Sequence, residues 1–221
     1  MIRPELPANE PARLAALRQS QILDTSPEPA FDDLALLASV VCATRMAAVS
    51  LIDHDREWFK AAHGMQRRAL ARDLSFCAHA ILDADRVLTV DDTWRDPRFH
   101  DHPLATDATP VRFYAGAPLV TSQGLALGTL CVFDDRPAQL SPTQRDALQA
   151  LSRQAAHLLE LRRLGHALDR QLRERQWYED RLMQYSTQLE ALNVELAQQT
   201  RTDPLTGLPN RRAFSEALAA L

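Results

Sequence analysis

The sequence predicts an α+β domain followed by one long helix. Two short segments with helical periodicity come first, and five apolar runs of strand length follow, separated by polar loops. From residue 141 to residue 200 the periodicity is helical again, and only Gly165 interrupts it. Strands flanked by helices in this order are typical of an antiparallel sheet covered by helical layers.

The composition excludes several classes of protein. The 221 residues are 46% hydrophobic with a net charge of −4, which supports one sizeable core and gives no basic field for nucleic acid. The three cysteines form no CxxC or Cys/His pattern, so neither a zinc site nor a disulfide framework is indicated. The N-terminus has no signal-peptide core, and the longest apolar run, 34–43, is about half of a membrane span. We expect a cytoplasmic protein with neither a membrane nor a nucleic-acid partner.

Capping signals mark the predicted helices. Asn9 and Pro11 suit the start of a first helix, and Ser26-Pro27 suits the start of a second, whose apolar face includes Cys42. The long helix begins with a capping box in LSPTQ, where Ser141 is the N-cap. Its roughly 60 residues would measure about 90 Å, more than one domain can bury. The distal half therefore needs a partner helix.

Five segments rich in β-branched and aromatic residues are predicted as strands of one antiparallel sheet. A polar loop follows the second of them, and SFCAHAILDAD then forms a short inserted helix. The stretch from 93 to 110 has no clear period. The predicted strands are AAVSLID (47–53), EWFKAAH (57–63), VLTVDD (87–92), RFYAGAPLVTS (112–122) and LALGTLCVFDD (125–135).

A seven-residue repeat runs through the distal half of the long helix. Leucine and tyrosine recur at the a and d positions over six heptads, which predicts a coiled coil. Gln171 and Arg175 are polar exceptions in this seam, and Leu172 lies beside it. The predicted interface residues are Leu161, Leu164, Leu168, Gln171, Leu172, Arg175, Tyr178, Leu182, Tyr185, Leu189, Leu192 and Leu196.

Residues 10–162 resemble a GAF domain of the kind found upstream of bacterial output enzymes. The matching stretches occur in order and include ILDTSPEPAFDDLALLAS, LSFCAHAI, TVDDTWRDPRFHDHPL and RFYAGAPLVTSQGLALGTLCVFD. The resemblance implies a small-molecule sensor that also dimerises. We therefore expect a sensor domain at 1–158, a signalling coiled coil at 159–200 and the start of a further domain at 201–221.

The segment RTDPLTGLPNRRAF at 201–214 resembles the leading segment of GGDEF domains, which make cyclic di-GMP from two GTP. The resemblance implies a diguanylate cyclase output domain that uses GTP and Mg. It also implies a parallel homodimer, because two GTP-loaded domains must meet face to face. No GGDEF or GGEEF string occurs in the chain, so we expect this part to be regulatory and not catalytic. The matching residues are Asp203, Leu205, Thr206, Leu208, Asn210, Arg211 and Arg212.

A small-molecule pocket is expected between one face of the sheet and the inserted helix and loops. Aromatic side chains with a few convergent polar groups are typical of such pockets. Arg112 could bind an anionic ligand through its planar fork of donors. The candidate lining residues are Phe76, Cys77, His79, Asp91, Thr93, Asp96, Phe99, Arg112 and Tyr114.

Other interpretations fit the same residues. They could be structural parts of a ligand-free dimerisation scaffold, with Arg112 bound to an aspartate. Cys77 could instead hold a pigment or serve redox chemistry, since Cys42 and Cys131 lie on predicted apolar faces. A metal set built from Cys77, His79 and the loop histidines is weak, and no metal is expected.

Overall fold

The computed structural model describes residues 1–106, 110–199, 202–203 and 205–219. It divides into two units, Met1–His166 and Ala167–Leu221. The first unit, called here the sheet domain, contains the sheet and the helices that cover it. Within the described ranges, no helix is both long and apolar enough to cross a membrane.

One antiparallel sheet of six strands, in the order β3-β2-β1-β6-β5-β4, forms the centre of the sheet domain. All five predicted strands are present. The sixth, β3, lies at the sheet edge in the segment predicted as a polar loop, where only Leu70 of its three residues is partly buried. So short an edge strand carries no apolar pattern. The strands are β1 Met46–Ile52, β2 Arg56–His63, β3 Ala69–Ala71, β4 Leu88–Val90, β5 Phe113–Val120 and β6 Ala126–Asp134.

The predicted helices are present, but two of them have other bounds. The inserted helix, predicted over 75–85, ends at Ala80, and a further short helix, Pro103–Thr106, lies where no helix was predicted. The second helix begins at Pro29 and not at Ser26-Pro27, because proline disfavours helical geometry in the residue before it and Glu28 is extended. The predicted capping box is confirmed: Ser141 N donates to Gln144 Oε1 at 3.0 Å, and Gln144 N donates to Ser141 Oγ at 3.2 Å. The helices are α1 Glu10–Gln19, α2 Pro29–Cys42, α3 Phe76–Ala80, α4 Pro103–Thr106, α5 Pro142–Gln199 and α6 Arg211–Ala219.

The sheet separates two apolar layers. On its first face the strands pack with residues of α1, α2 and the first half of α5, including Leu17, Phe31 and Leu148. On its second face they pack with α3 and the segments around it. Side chains of β1 alternate between the layers, so Val49 belongs to the first and Ile52 to the second. The first layer is the larger, and the second is where a cavity remains.

Glycine is required at one turn beside that cavity. Gly64 follows β2 with a φ of +73°, a conformation that other residues adopt only with strain. A Cβ atom there would lie 2.1 Å from the main-chain oxygen of Arg45. The end of β2 can therefore pass close to the start of β1 only because residue 64 has no side chain.

Candidate ligand-binding cavity

A cavity of about 440 Å³ lies on the second face of the sheet, beside β1, β2 and β3. Its volume falls within the roughly 300–1,000 Å³ that is typical of small-molecule pockets. Side chains from β1, β2, β3, β6, α3 and the segment around α4 border it. Its apolar walls consist of Met46, Phe59, Met65, Leu70, Phe76, Leu104, Val111 and Phe133.

Glu57 on β2 brings a carboxyl group to this largely apolar cavity. The residue is only 2% exposed, and its Oε1 atom is buried with no hydrogen-bond partner among the described residues. Burial raises the pKa of Glu57, and the polar side chains of Cys77, Ser75 and Ser50 offset part of that rise. A buried acceptor left unpaired costs about 1–3 kcal/mol. A donor that entered the cavity would relieve this cost.

Charged and polar residues border the exposed side of the cavity. Arg45 and Asp135 form an ion pair there, and Gln66 and Arg67 follow the turn at Gly64. Arg45, Gln66 and Arg67 are exposed, whereas Glu57 is buried. The cavity therefore combines a buried acid with an exposed border that carries two arginines.

The thiols of Cys77 and Cys131 are not among the residues that border the cavity, and Cys42 lies in the layer on the other face of the sheet. Cys77 and Cys131 are fully buried with their Sγ atoms 3.6 Å apart, and the Tyr114 hydroxyl donates to Cys77 Sγ at 3.3 Å. Burial raises the pKa of the Cys77 thiol well above its usual range and that of Cys42 to about 11. The expectation that Cys77 is the thiol placed to react is therefore wrong, because a buried neutral thiol is a poor nucleophile.

The aromatic residues predicted to line a pocket form its support. Phe76 borders the cavity. The ring centres of Phe99 and Tyr114 lie 4.6 and 5.3 Å from the centre of the Phe76 ring. Thr93 is buried, and its hydroxyl donates to a main-chain carbonyl just before β5 at 2.7 Å. His79 borders a separate depression, and burial lowers its pKa to about 4. Of the predicted lining residues, Phe76 alone borders the Glu57 cavity.

Asp91, Asp96 and Arg112 border a different, open groove. The Arg112 guanidinium donates to both carboxylate oxygens of Asp92, at 3.0 and 2.9 Å, and lies 3.5 Å from the centre of the Trp94 ring. Arg112 therefore has the aspartate partner that a structural role requires. It connects the segment after β4 to the start of β5.

Histidine and cysteine do not converge as metal ligands in the described part of the chain, where no group of three or more His, Cys, Asp or Glu side chains could hold a metal ion. His102 is buried, and its Nδ1 atom accepts a hydrogen bond from Leu104 N at 3.1 Å. Burial also lowers the pKa of His102. This histidine therefore positions a residue of the cavity wall.

The predicted coiled-coil positions lie on α5. Arg175 bonds Glu179 of the same helix, with Nε 2.8 Å from Oε1. The leucines and tyrosines of the seam are between 49% and 67% exposed in the single chain. These exposed residues are Leu161, Leu164, Leu168, Leu172, Tyr178, Leu182, Tyr185, Leu189, Leu192 and Leu196.

The segment before α6 is a tight loop organised by Asp203. Its Oδ1 atom accepts hydrogen bonds from the main-chain N–H groups of Leu205 and Thr206, both at 3.0 Å, and Asp203 N donates to Leu208 O at 2.8 Å. Asn210 then caps α6, with Oδ1 accepting from Ala213 N at 3.0 Å. Asp203 and Asn210 thus have local structural roles, and α6 carries Arg211 and Arg212.

The sheet order, the helical layer on one face and the cavity on the other define an α+β domain with room for a small molecule. The family model for the GAF domain matches residues 26–159. The chain belongs to the GAF domain family.

Known relatives agree with this assignment. The chain is 41% identical over 137 residues to the cyclic di-GMP phosphodiesterase PA2567 of Pseudomonas aeruginosa. The aligned region covers 62% of this chain but only 23% of that protein. The chain thus spans less than a quarter of the length of this curated relative. Among solved structures, the blue-light absorbing form of the PixJ GAF domain of Thermosynechococcus elongatus has a TM-score of 0.51 at 19% identity, covering 72% of this chain and 94% of that one. The GAF domain of the Acinetobacter phosphoenolpyruvate-protein phosphotransferase has a TM-score of 0.50 at 16% identity, covering 67% and 93%. These structures support the fold alone.

Proposed function

We propose that the chain is the sensor and dimerisation region of a cyclic di-GMP signalling enzyme. The observation that carries the proposal is the 41% identity to a protein named as a cyclic di-GMP phosphodiesterase, across most of the GAF domain. The Glu57 cavity provides a place for a small molecule. Because α5 packs against the sheet domain and continues through the heptad repeat, it would carry the signal.

We propose further that the output domain is a diguanylate cyclase that uses GTP and Mg. The support is the resemblance of 201–214 to the leading segment of GGDEF domains, together with the loop at Asp203 and the Asn210 cap. The phosphodiesterase relative concerns the same messenger but the opposite reaction. A cytoplasmic location follows from this proposal, because GTP is a cytoplasmic substrate.

The proposed signalling state is a parallel homodimer. An exposed stripe of leucine and tyrosine along α5 would be buried by a second copy in register. A second exposed apolar surface lies on α2, formed by Leu36, Leu37, Val40 and Val41. Apolar patches of this kind mark interaction surfaces.

A ligand-free dimerisation scaffold is the second candidate function. It is favoured by the ion pair that occupies Arg112 and by the dispersal of the predicted lining residues among different sites. The two candidates differ in one respect: only a sensor has a ligand that stabilises the GAF domain.

Thermal shift against a panel of bacterial metabolites separates them. A ligand present at 100 times its Kd adds about 2.7 kcal/mol to the stability of the folded state, which raises the melting temperature by roughly 5 °C or more. Leu104→Trp, which fills the cavity, should abolish this shift and leave a cooperative transition. Failure of every metabolite to raise the wild-type melting temperature would favour the scaffold, and an equal shift in both proteins would place the ligand elsewhere.

A further inference from the structure

The unpaired Oε1 atom of Glu57 restricts the kind of molecule that the cavity can take. We propose that the cavity binds a small organic cation, with an apolar body against the aromatic walls and a protonated amine or similar N–H donor on Glu57, which makes Glu57 the specificity-determining residue. This inference rests on the proposed sensor function and names the ligand class of the same cavity.

One buried acceptor atom of Glu57 lacks a hydrogen-bond donor in the described part of the chain. Buried polar atoms in folded proteins are nearly always paired, yet Glu57 Oε1 has no partner within the described ranges. Glu57 pairs in register with Ile52 of β1 and Leu70 of β3, so apolar residues flank it on both neighbouring strands. A donor supplied by a ligand would give Glu57 Oε1 the hydrogen bond that it lacks.

Charge also bears on the ligand. Of the two arginines that border the cavity, Arg45 pairs with Asp135, and Arg67 is exposed, whereas Glu57 is buried. The polar groups that act on Glu57 from α3 and the adjoining strands belong to cysteine, serine and tyrosine side chains, which carry no positive charge. A cation on Glu57 would let the carboxyl group ionise inside the cavity at a lower cost, so a cationic ligand is favoured over a neutral one.

The walls of the cavity suit a cation with an apolar body. Phe59, Phe76 and Phe133 border the same cavity, and aromatic faces attract cations as well as apolar groups. Hydrogen bonds to charged groups are about twice as strong as neutral ones. An amine on an apolar body therefore matches both features, whereas a carboxylate would face Glu57 with like charge.

Two matched probes test the proposal directly: 2-phenylethylamine, which is cationic, and 2-phenylethanol, which is neutral and similar in size. The readout is NMR of ¹³C-methyl methionine, since the chain has four methionines. Met46 and Met65 border the cavity, whereas Met1 and Met183 do not. Met1 and Met183 are therefore internal controls for nonspecific binding.

We expect 2-phenylethylamine to shift the Met46 and Met65 signals and to bind about tenfold more tightly than 2-phenylethanol, as a charge-assisted hydrogen bond provides. Glu57→Gln should bring the two affinities within about twofold of each other and leave that of 2-phenylethanol unchanged. Glu5→Gln, at an exposed acid outside the cavity, should keep the wild-type preference. Glu57→Met is the substitute if Glu57→Gln does not fold.

The outcomes separate this inference from the function on which it rests. Equal affinities of the two probes in the wild type, or an amine preference that survives in folded Glu57→Gln and Glu57→Met, would overturn the assignment of a cation and leave the cavity as a ligand site. No response of Met46 and Met65 to either probe would overturn both the cation assignment and the proposed small-molecule sensing at this cavity.

Discussion

Replacing Arg13 with alanine is expected to lower the free energy of unfolding by about 3–5 kcal/mol, the cost of removing one partner from a buried ion pair. Arg13 is fully buried, and its Nε and Nη2 atoms donate to the two carboxylate oxygens of Glu10 at 2.7 and 2.8 Å. Its Nη1 donates to Ile52 O at the end of β1 at 2.6 Å. Arg72 bonds the same carboxylate and Asp53 O. The network therefore fixes the turn that leads into β2 and Glu57.

Urea denaturation of the two proteins at neutral pH measures this loss. Arg18→Ala is the matched control, because Arg18 lies exposed on the same helix and its loss should cost less than about 0.5 kcal/mol. A loss below about 1 kcal/mol for Arg13→Ala would show that Arg72 alone satisfies the Glu10 carboxylate.

The same network predicts an acid dependence. Burial acts to raise the pKa of Glu10, but the hydrogen bonds and charges of Arg13 and Arg72 outweigh it and lower the pKa from 4.5 to about 2. A lowered carboxyl pKa stabilises the fold above the unfolded value of 4.5, and this contribution is lost as the pH falls toward the folded value. The Arg13→Ala protein should therefore lose less stability than the wild type between those two pH values.

Replacing Leu182 and Leu189 together with glutamate is expected to convert the proposed dimer to a monomer. Both leucines are at predicted a positions and are 67% and 60% exposed in the single chain. A symmetric dimer would bury both in each chain, so the change removes four buried leucines at about 1.5 kcal/mol or more each. It also brings like charges together across the seam.

Light scattering at micromolar concentration measures the result, with the wild type at twice the chain mass of 24.8 kDa. The matched control places glutamate at Thr187 and Val194, which have the same seven-residue spacing at the outward f positions of the repeat. This control should remain a dimer. A monomeric wild type, or a double a-position variant that stays dimeric, would contradict the proposed coiled coil.

The strands and the long helix could be predicted because their signals are local. Strand β6 is buried along its whole length and is mostly apolar in sequence, and the capping box at Ser141 fixes the start of α5 within the chain itself. Strand β3 could not be found in this way, because its three residues owe their conformation to pairing with β2. The residues that determine this strand are therefore those of β2, with which it pairs.

The residues that line the cavity could not be predicted, because they come from distant parts of the sequence. Glu57, Leu104 and Phe133 meet only after the sheet has formed and α3 and the α4 segment have packed on it. Sequence reasoning instead selected polar and aromatic residues that lie near one another in the chain. Arg112 is an example, because its guanidinium bonds Asp92 and stacks on Trp94 instead of facing the cavity. The sequence held one signal for Glu57. In the predicted strand 57–63 this acid lies two residues before Phe59, which places both side chains on the same face of the strand.

The proposed function is tested most directly by the level of cyclic di-GMP in cells that carry the chain joined to its proposed output domain, with the cavity open or filled. We expect Leu104→Trp to change that level by about fivefold or more, the lower range of typical coupling between sites. Leu6→Trp, at an exposed position outside the cavity, should leave it unchanged. If folded Leu104→Trp protein gave the wild-type level of cyclic di-GMP, the cavity would not be the site through which this domain controls its output.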